Sequence, residues 1–129
     1  MTKRMNIGIF GSNNDSTVDG VVAEAAQAER DGFASYWQSQ IFGLDALSTL
    51  SVVGREVPRI ELGTSVIPVY PRHPMMLAQQ ALTANQAAGG RLTLGIGSGH
   101  KVVVEGMTGM SFDKPVRHMK EYLSILMPL

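Results

Sequence analysis

Ile60-Glu61-Leu62-Gly63-Thr64-Ser65-Val66-Ile67-Pro68-Val69-Tyr70 is the stretch on which the fold turns. Its Ile, Val and Tyr content suits the interior of a sheet, and Pro68 with Pro71 should stop regular pairing near its end. On either side the hydrophobic period changes to that of a helix, which is the pattern of a βα repeat. Upstream, Met5 to Phe10 reads as a buried strand and Ser12 to Ser16 as a turn-rich loop. Ser16, with Asp19 three residues on, predicts a capping-box start for a helix with Val18, Val21, Val22, Ala25 and Ala28 on one face. Gly32 stands where a C-cap belongs, and Ser35 to Ser39 makes a second, weaker strand. Leu44 to Arg55 reads as the second helix, with Leu44, Leu47, Leu50 and Val53 or Gly54 inward and Pro58 beyond its end.

Downstream, His73 caps and Pro74 opens a third helix, since proline is welcome in a first turn. Leu77, Ala78, Ala81, Leu82 and Ala88 form its stripe, and Gly89-Gly90 closes it. Leu92 to Gly97 is strand four. A long loop leads to a helix from Pro115 with Val116, Met119, Leu123 and Leu126 at spacings of three and four, and His118 on its outer side. Four successive βα units require a parallel sheet with helix crossovers, so the class is α/β. Periodicity alone leaves half of a closed barrel and a small doubly wound sheet both open.

The composition narrows the function. The 129 residues carry 11 basic and 11 acidic side chains, scattered rather than clustered, which argues against nucleic acid or an anionic membrane as partner. The absence of cysteine excludes disulfides, thiolate metal sites and cysteine nucleophiles, and fits a cytoplasmic setting. The apolar run Ile7 to Phe10 is too short for a signal-peptide core, so export is not expected.

Ligands of parallel α/β proteins sit at the C-terminal strand ends. Four loops meet there: residues 10–16, 40–43, 65–73 and 98–113. Gly95-Ile96-Gly97-Ser98-Gly99-His100 lets a flat or phosphorylated ligand approach the backbone, though a tight packed turn reads the same way. It departs from a dinucleotide fingerprint, because His100 holds the place of the third glycine and no helix is expected to begin there. Ser98 between glycines lacks the spacing of a nucleophile elbow, so a hydrolase is a poor second. His100 is the histidine best placed for proton transfer or cofactor contact. No His and carboxylate pair has ligand spacing, so no metal is expected. Met75, Met76, Met107 and Met110 read as apolar filler.

Ile60 to Pro68, followed by Arg72-His73-Pro74, is similar to one signature of the luciferase-like monooxygenase superfamily. Gly89-Gly90-Arg91-Leu92 and then Leu94 to His100 resemble the companion signature at strand four, in the same order and separation. Glu121-Tyr122-Leu123 and Met127-Pro128-Leu129 resemble that family's fourth helix. The resemblance implies a (β/α)₈ TIM-type barrel of which the first four βα units, a half-barrel in a single domain of residues 1–129, are present; whole barrels take about 250 residues. It implies coenzyme F420, a deazaflavin, as cofactor, with FMN as the alternative, and hydride transfer to or from a small organic substrate. It further implies a cis bond at Ser65–Val66 against which the coenzyme ring rests, with Gly97 and Ser98 near the ring. His100 falls where some relatives place an acidic proton donor. Ser39-Gln40 replaces an Asp-His pair of many relatives, leaving Gln40 to hydrogen-bond the ring. The family's main phosphate-binding loops belong to later units.

Two different classes of alternative stand beside this reading: a non-catalytic half-barrel, and a flavodoxin-like module with a reversal in strand order. A half-barrel would leave open an inner face carrying Leu62, Thr64 and Val66, so a homodimer or the other barrel half is expected to cover it.

Overall fold

The computed structural model describes residues 5–12 and 17–129. Strands β1 (Gly8–Phe10), β2 (Ser35–Gln38), β3 (Glu61–Thr64) and β5 (Leu92–Thr93) form one parallel sheet in the order β1-β2-β3-β5. A second parallel pair joins β4 (Ile67–Pro68) to β6 (Ile96–Gly97). Consecutive segments lie side by side with no reversal, as a barrel half requires and a flavodoxin-like order does not. Helices α1 (Val18–Arg30), α2 (Ala46–Glu56) and α3 (Pro74–Ala87) are the crossovers, and α5 (Pro115–Leu126) follows the last strand.

Between β6 and α5, the residues expected to be plain loop contain a helical turn, α4 (Lys101–Val103), continuing into a π-helical turn, Val104–Thr108. A helix therefore does begin directly after the glycine run. Its start is short, and His100 occupies the N-cap position without a side-chain capping bond.

The caps show how local chemistry fixes the ends. Thr17, not Ser16, is the N-cap of α1, its hydroxyl accepting from Gly20 N at 3.0 Å; Ser16 itself lies outside the described residues, as do Asn13, Asn14 and Asp15 of the expected loop. Asp45 caps α2 by accepting from Ser48 N at 2.8 Å. His73 caps α3, its Nδ1 accepting from Met75 N at 3.2 Å. Gly89 and Gly90 close α3 at φ +64° and +87°, a conformation that glycine adopts without strain.

The core lies on one face of the main sheet. Ile9, Tyr36, Leu62 and Leu92 stand in register and pack against Val21 and Ala25 of α1 and Leu50 and Val53 of α2. Leu62 is thus packed under the helices rather than turned to the open inner face, which corrects the expected alternation, and Thr64 is buried, while Val66 beyond the break is exposed at the C-terminal strand ends. The open face carries Gly8, Ser35, Gly63 and Thr93 instead, with Trp37 laid over both glycines. A Cβ on Gly8 or Gly63 would strike the Trp37 indole or the Ser35 hydroxyl, which itself accepts from Trp37 Nε1 at 2.8 Å.

At the N-terminal strand ends, Arg91 donates to the carbonyls of Ala88, Ile60 and Gly54, each at 2.7 Å. Glu29 accepts from the backbone N–H groups of Arg59 and Ile60 at 2.7 and 2.8 Å. These bonds satisfy chain ends that would otherwise be orphaned between helix and strand. A second core joins Leu47, Ile67, Val69, Leu77 and Tyr122. Within it Tyr70 stacks on His118 at 4.2 Å, so His118 faces inward rather than outward. On the same helix Val116, expected in the packing stripe, is 83% exposed, and the buried position is Tyr122. Leu82, Met75 and Met76 are likewise exposed, and so do not fill the core.

The expected third and fourth strands are each broken, and the break aims the site. Between β3 and β4 the Ser65–Val66 peptide is cis, where the resemblance placed it. Opposite it, the Thr64 hydroxyl takes over the ladder, accepting from Gly95 N at 2.9 Å and donating to Gly95 O at 2.8 Å. Gly95 O also accepts from Ile67 N at 2.9 Å. A Cβ on Gly95 would collide with Thr64 O, so the break requires glycine there.

Candidate functional site

The C-terminal ends of the strands converge on a cleft of about 480 Å³. β1 sends Phe10 into its wall, and the segment after β2 contributes Ser39, Gln40, Ile41 and Phe42. The broken strand contributes Ser65, Val66 and Pro68, and the loop after it Pro71. The far side is Gly99 and His100 with Val103, Val104, Met107 and Thr108 of the helical turns.

Four of the residues expected from sequence therefore meet here: Gln40, Ser65, Val66 and His100. Gly97 and Ser98 do not line the cleft. Gly97 pairs with Pro68, and a Cβ on it would come within 2.6 Å of Val66 Cγ2, so its role is to let Val66 sit where it does. Ser98 is half-buried at the end of β6. Met107, expected as filler, is an exposed wall of the cleft.

Each polar group at the cleft is held by the fold. Gln40 turns its Oε1 to Ala46 N, the first amide of α2, at 3.1 Å; its Nε2 has no partner among the described residues. Ser39 is only 7% exposed, and its Oγ has no hydrogen-bond partner among the described residues. A buried hydroxyl left unpaired carries a desolvation cost of about 1–3 kcal/mol unless something supplies a partner. Ser65 N donates to Gln38 O at 2.8 Å, tying the broken strand to β2. His100 is exposed, its ring making no hydrogen bond among the described residues. Sequence reasoning had not assigned Ser39 a ligand role; the signal was its place one residue before Gln40 at a strand end.

The loop after β4 is anchored through Arg72, which donates to Gln80 Oε1 at 2.9 Å and to the Asp45 carboxylate. Burial alone would raise the Asp45 carboxyl, but its bonds from Ser48 and the Arg72 guanidinium outweigh this and hold it below its ordinary value. Behind the β1 end, Glu24 accepts from Ser12 N at 3.0 Å and from the Tyr36 hydroxyl at 2.8 Å. Burial, then the neighbouring Glu24 carboxylate, push the Tyr36 phenol far up, so it stays a proton donor.

Neutral donors and acceptors low in the cleft, between apolar walls, suit a flat heteroaromatic ring with a polar edge. No group of three or more His, Asp or Glu side chains able to hold a metal occurs among the described residues, and none of their helices is long and apolar enough to cross a membrane.

Comparison with known proteins bears on family and fold. The sequence profile of the luciferase-like monooxygenase family matches residues 5–129. A Mycobacterium tuberculosis protein named for coenzyme F420-dependent oxidoreductase activity is 35% identical over 95% of this chain and 34% of its own length. The oxygenating constituent of 3,6-diketocamphane monooxygenase from Pseudomonas putida, solved with FMN, superposes with a TM-score of 0.83 at 19% identity, over 95% of this chain and 38% of its own. An F420-dependent secondary alcohol dehydrogenase superposes with a TM-score of 0.81 at 22% identity, over 96% and 41%. The likenesses in structure establish the barrel-type fold. The chain spans about a third of the length of the M. tuberculosis relative.

Proposed function

The chain belongs to the luciferase-like monooxygenase family, and on that premise we propose that it forms the coenzyme-binding first half of a coenzyme F420-dependent oxidoreductase acting on a small organic molecule. Residues 1–129 are read as one domain, completed by another barrel half or by a second copy, in a cytoplasmic protein. The observation that carries the reading is the cleft itself: Ser39, Gln40, Ser65, Val66 and His100 from three separate chain segments converge at the C-terminal strand ends.

When bound, the deazaflavin supplies the hydride chemistry. The chain's part is orientation, apolar packing and proton handling. Val66 and Pro68 offer an apolar platform, with Gly97 leaving Val66 the room it occupies. Ser39 Oγ and Gln40 Nε2 offer hydrogen bonds to the polar edge of a ring, and Ser65 Oγ is a third group of that kind. Phe10, Ile41 and Phe42 flank that edge with apolar side chains. His100 gives or takes the proton that accompanies hydride transfer, since its ring is free to turn toward a bound molecule.

Titration of the protein, as its gene encodes it, with F420 and with FMN tests the proposal by coenzyme fluorescence. Saturable binding of F420, tighter than that of FMN, is the expected result. Tighter FMN binding would transfer the assignment to a flavin monooxygenase, and binding of neither would favour a non-catalytic half-barrel.

A further inference from the structure

Beyond the coenzyme, the rim of the same cleft selects its second ligand, an inference that rests on the functional reading above. Ile41, Phe42 and Met107 are 63%, 69% and 63% exposed, and Phe10 is 54% exposed, although all four are large and apolar. They come from three separate segments: the end of β1, the β2–α2 connection and the π-helical turn. Scattered exposed apolar side chains are ordinary on a protein surface; convergence of four on one concave mouth is not. Among the described lining residues no Asp, Glu, Lys or Arg occurs, and His100 is the titratable one. The polar groups low in the cleft, Ser39 Oγ and Gln40 Nε2, are neutral.

We infer that the rim binds an uncharged, mainly apolar organic molecule and discriminates against carboxylates and phosphates. The argument is one of solvation. A charged ligand entering this mouth leaves water for apolar walls and finds no opposite charge among the described residues, a cost that a neutral carbonyl does not incur. The cleft's size, about 480 Å³, fits small molecules rather than a protein segment. Ile41, Phe42 and Met107 are on this view specificity-determining residues.

The test compares two probes with the same ring and different charge, cyclohexanone and cyclohexanecarboxylate. Binding to the encoded protein is read by ligand-observed NMR, with and without F420. The ketone should bind at least about tenfold tighter, a ratio that one unpaired desolvated charge readily produces. The same comparison in His100→Gln removes the imidazole as a counter-ion, and the ratio should persist. Phe42→Lys and Met107→Lys should each shrink it, by giving the carboxylate the opposite charge that the rim lacks. Equal binding of the two probes, or preference for the carboxylate, overturns the inference. Ketone selectivity without coenzyme binding would remove the functional reading and leave the rim's chemistry standing; coenzyme binding without selectivity would do the reverse.

Discussion

Thr64→Val tests whether the break in the third strand is held by one hydroxyl. Valine keeps the shape of threonine, so the buried site is not emptied. What is lost is the acceptor for Gly95 N and the donor to Gly95 O. The two losses are unequal, because Gly95 O keeps its bond from Ile67 N. The cost therefore falls on the Gly95 N–H, stranded beside a methyl group. An unsatisfied buried donor costs about 1–3 kcal/mol, so a destabilisation of about 2 kcal/mol is expected. For a chain of this size that lowers Tm by on the order of 8 °C. Urea unfolding followed by the emission of Trp37, the one tryptophan of the chain, gives the difference directly. Thr64→Ser is the control: it retains the hydroxyl and loses a methyl, at about 1 kcal/mol. Valine should be the worse of the two. A Thr64→Val protein within about 0.3 kcal/mol of the parent, or more stable than the serine variant, would show that the hydroxyl does not hold the break.

Arg91→Ala should be among the more destabilising single changes, by about 3–5 kcal/mol, since three carbonyls lose a charged donor at once; thermal unfolding reads it, and Arg91→Lys should recover only part. The Asp45 carboxyl is held below its ordinary value of 3.8 in the folded chain, so its contribution is fully present above that value and is lost as pH falls through the depressed folded value. Acid unfolding of Asp45→Asn should accordingly be shallower below about pH 4 than that of the parent; parallel curves would refute it. With F420 and a substrate that the protein turns over, His100→Gln should lower turnover about a hundredfold while leaving F420 affinity within about threefold. An unchanged turnover would remove His100 from proton transfer.

The order of elements was legible because each one carries its own hydrophobic period, and the parallel neighbours follow from four consecutive crossovers. The convergence of Gln40, Ser65, Val66 and His100 was legible for a related reason: each stands just past a strand end. Other features depended on contacts that periodicity does not encode. Alternation along Ile60 to Pro68 marks two faces without saying which one the helices take, and Leu62 went to the helix side. The break within the strand rests on a side chain replacing the backbone ladder, and nothing in Thr64 or Gly95 taken singly announces it. His118 turns inward because Tyr70, 48 positions away by numbering, offers it a face to stack on. Ser39 carried a signal in its place beside Gln40 at a strand end, but an unpaired hydroxyl becomes conspicuous only once its burial is known.

The indole of Trp37, lying across Gly8 and Gly63 on the sheet face opposite the core, gives the protein an optical gauge of its own assembly. Its ring is half-buried and its environment on that side is set by whatever closes the sheet. Another barrel half or a second copy arriving there would exclude water from the ring and shift its emission to shorter wavelength, while a ligand confined to the cleft rim would leave the spectrum near its starting position. One chromophore thus separates closure of the barrel from occupation of its mouth, with no label added.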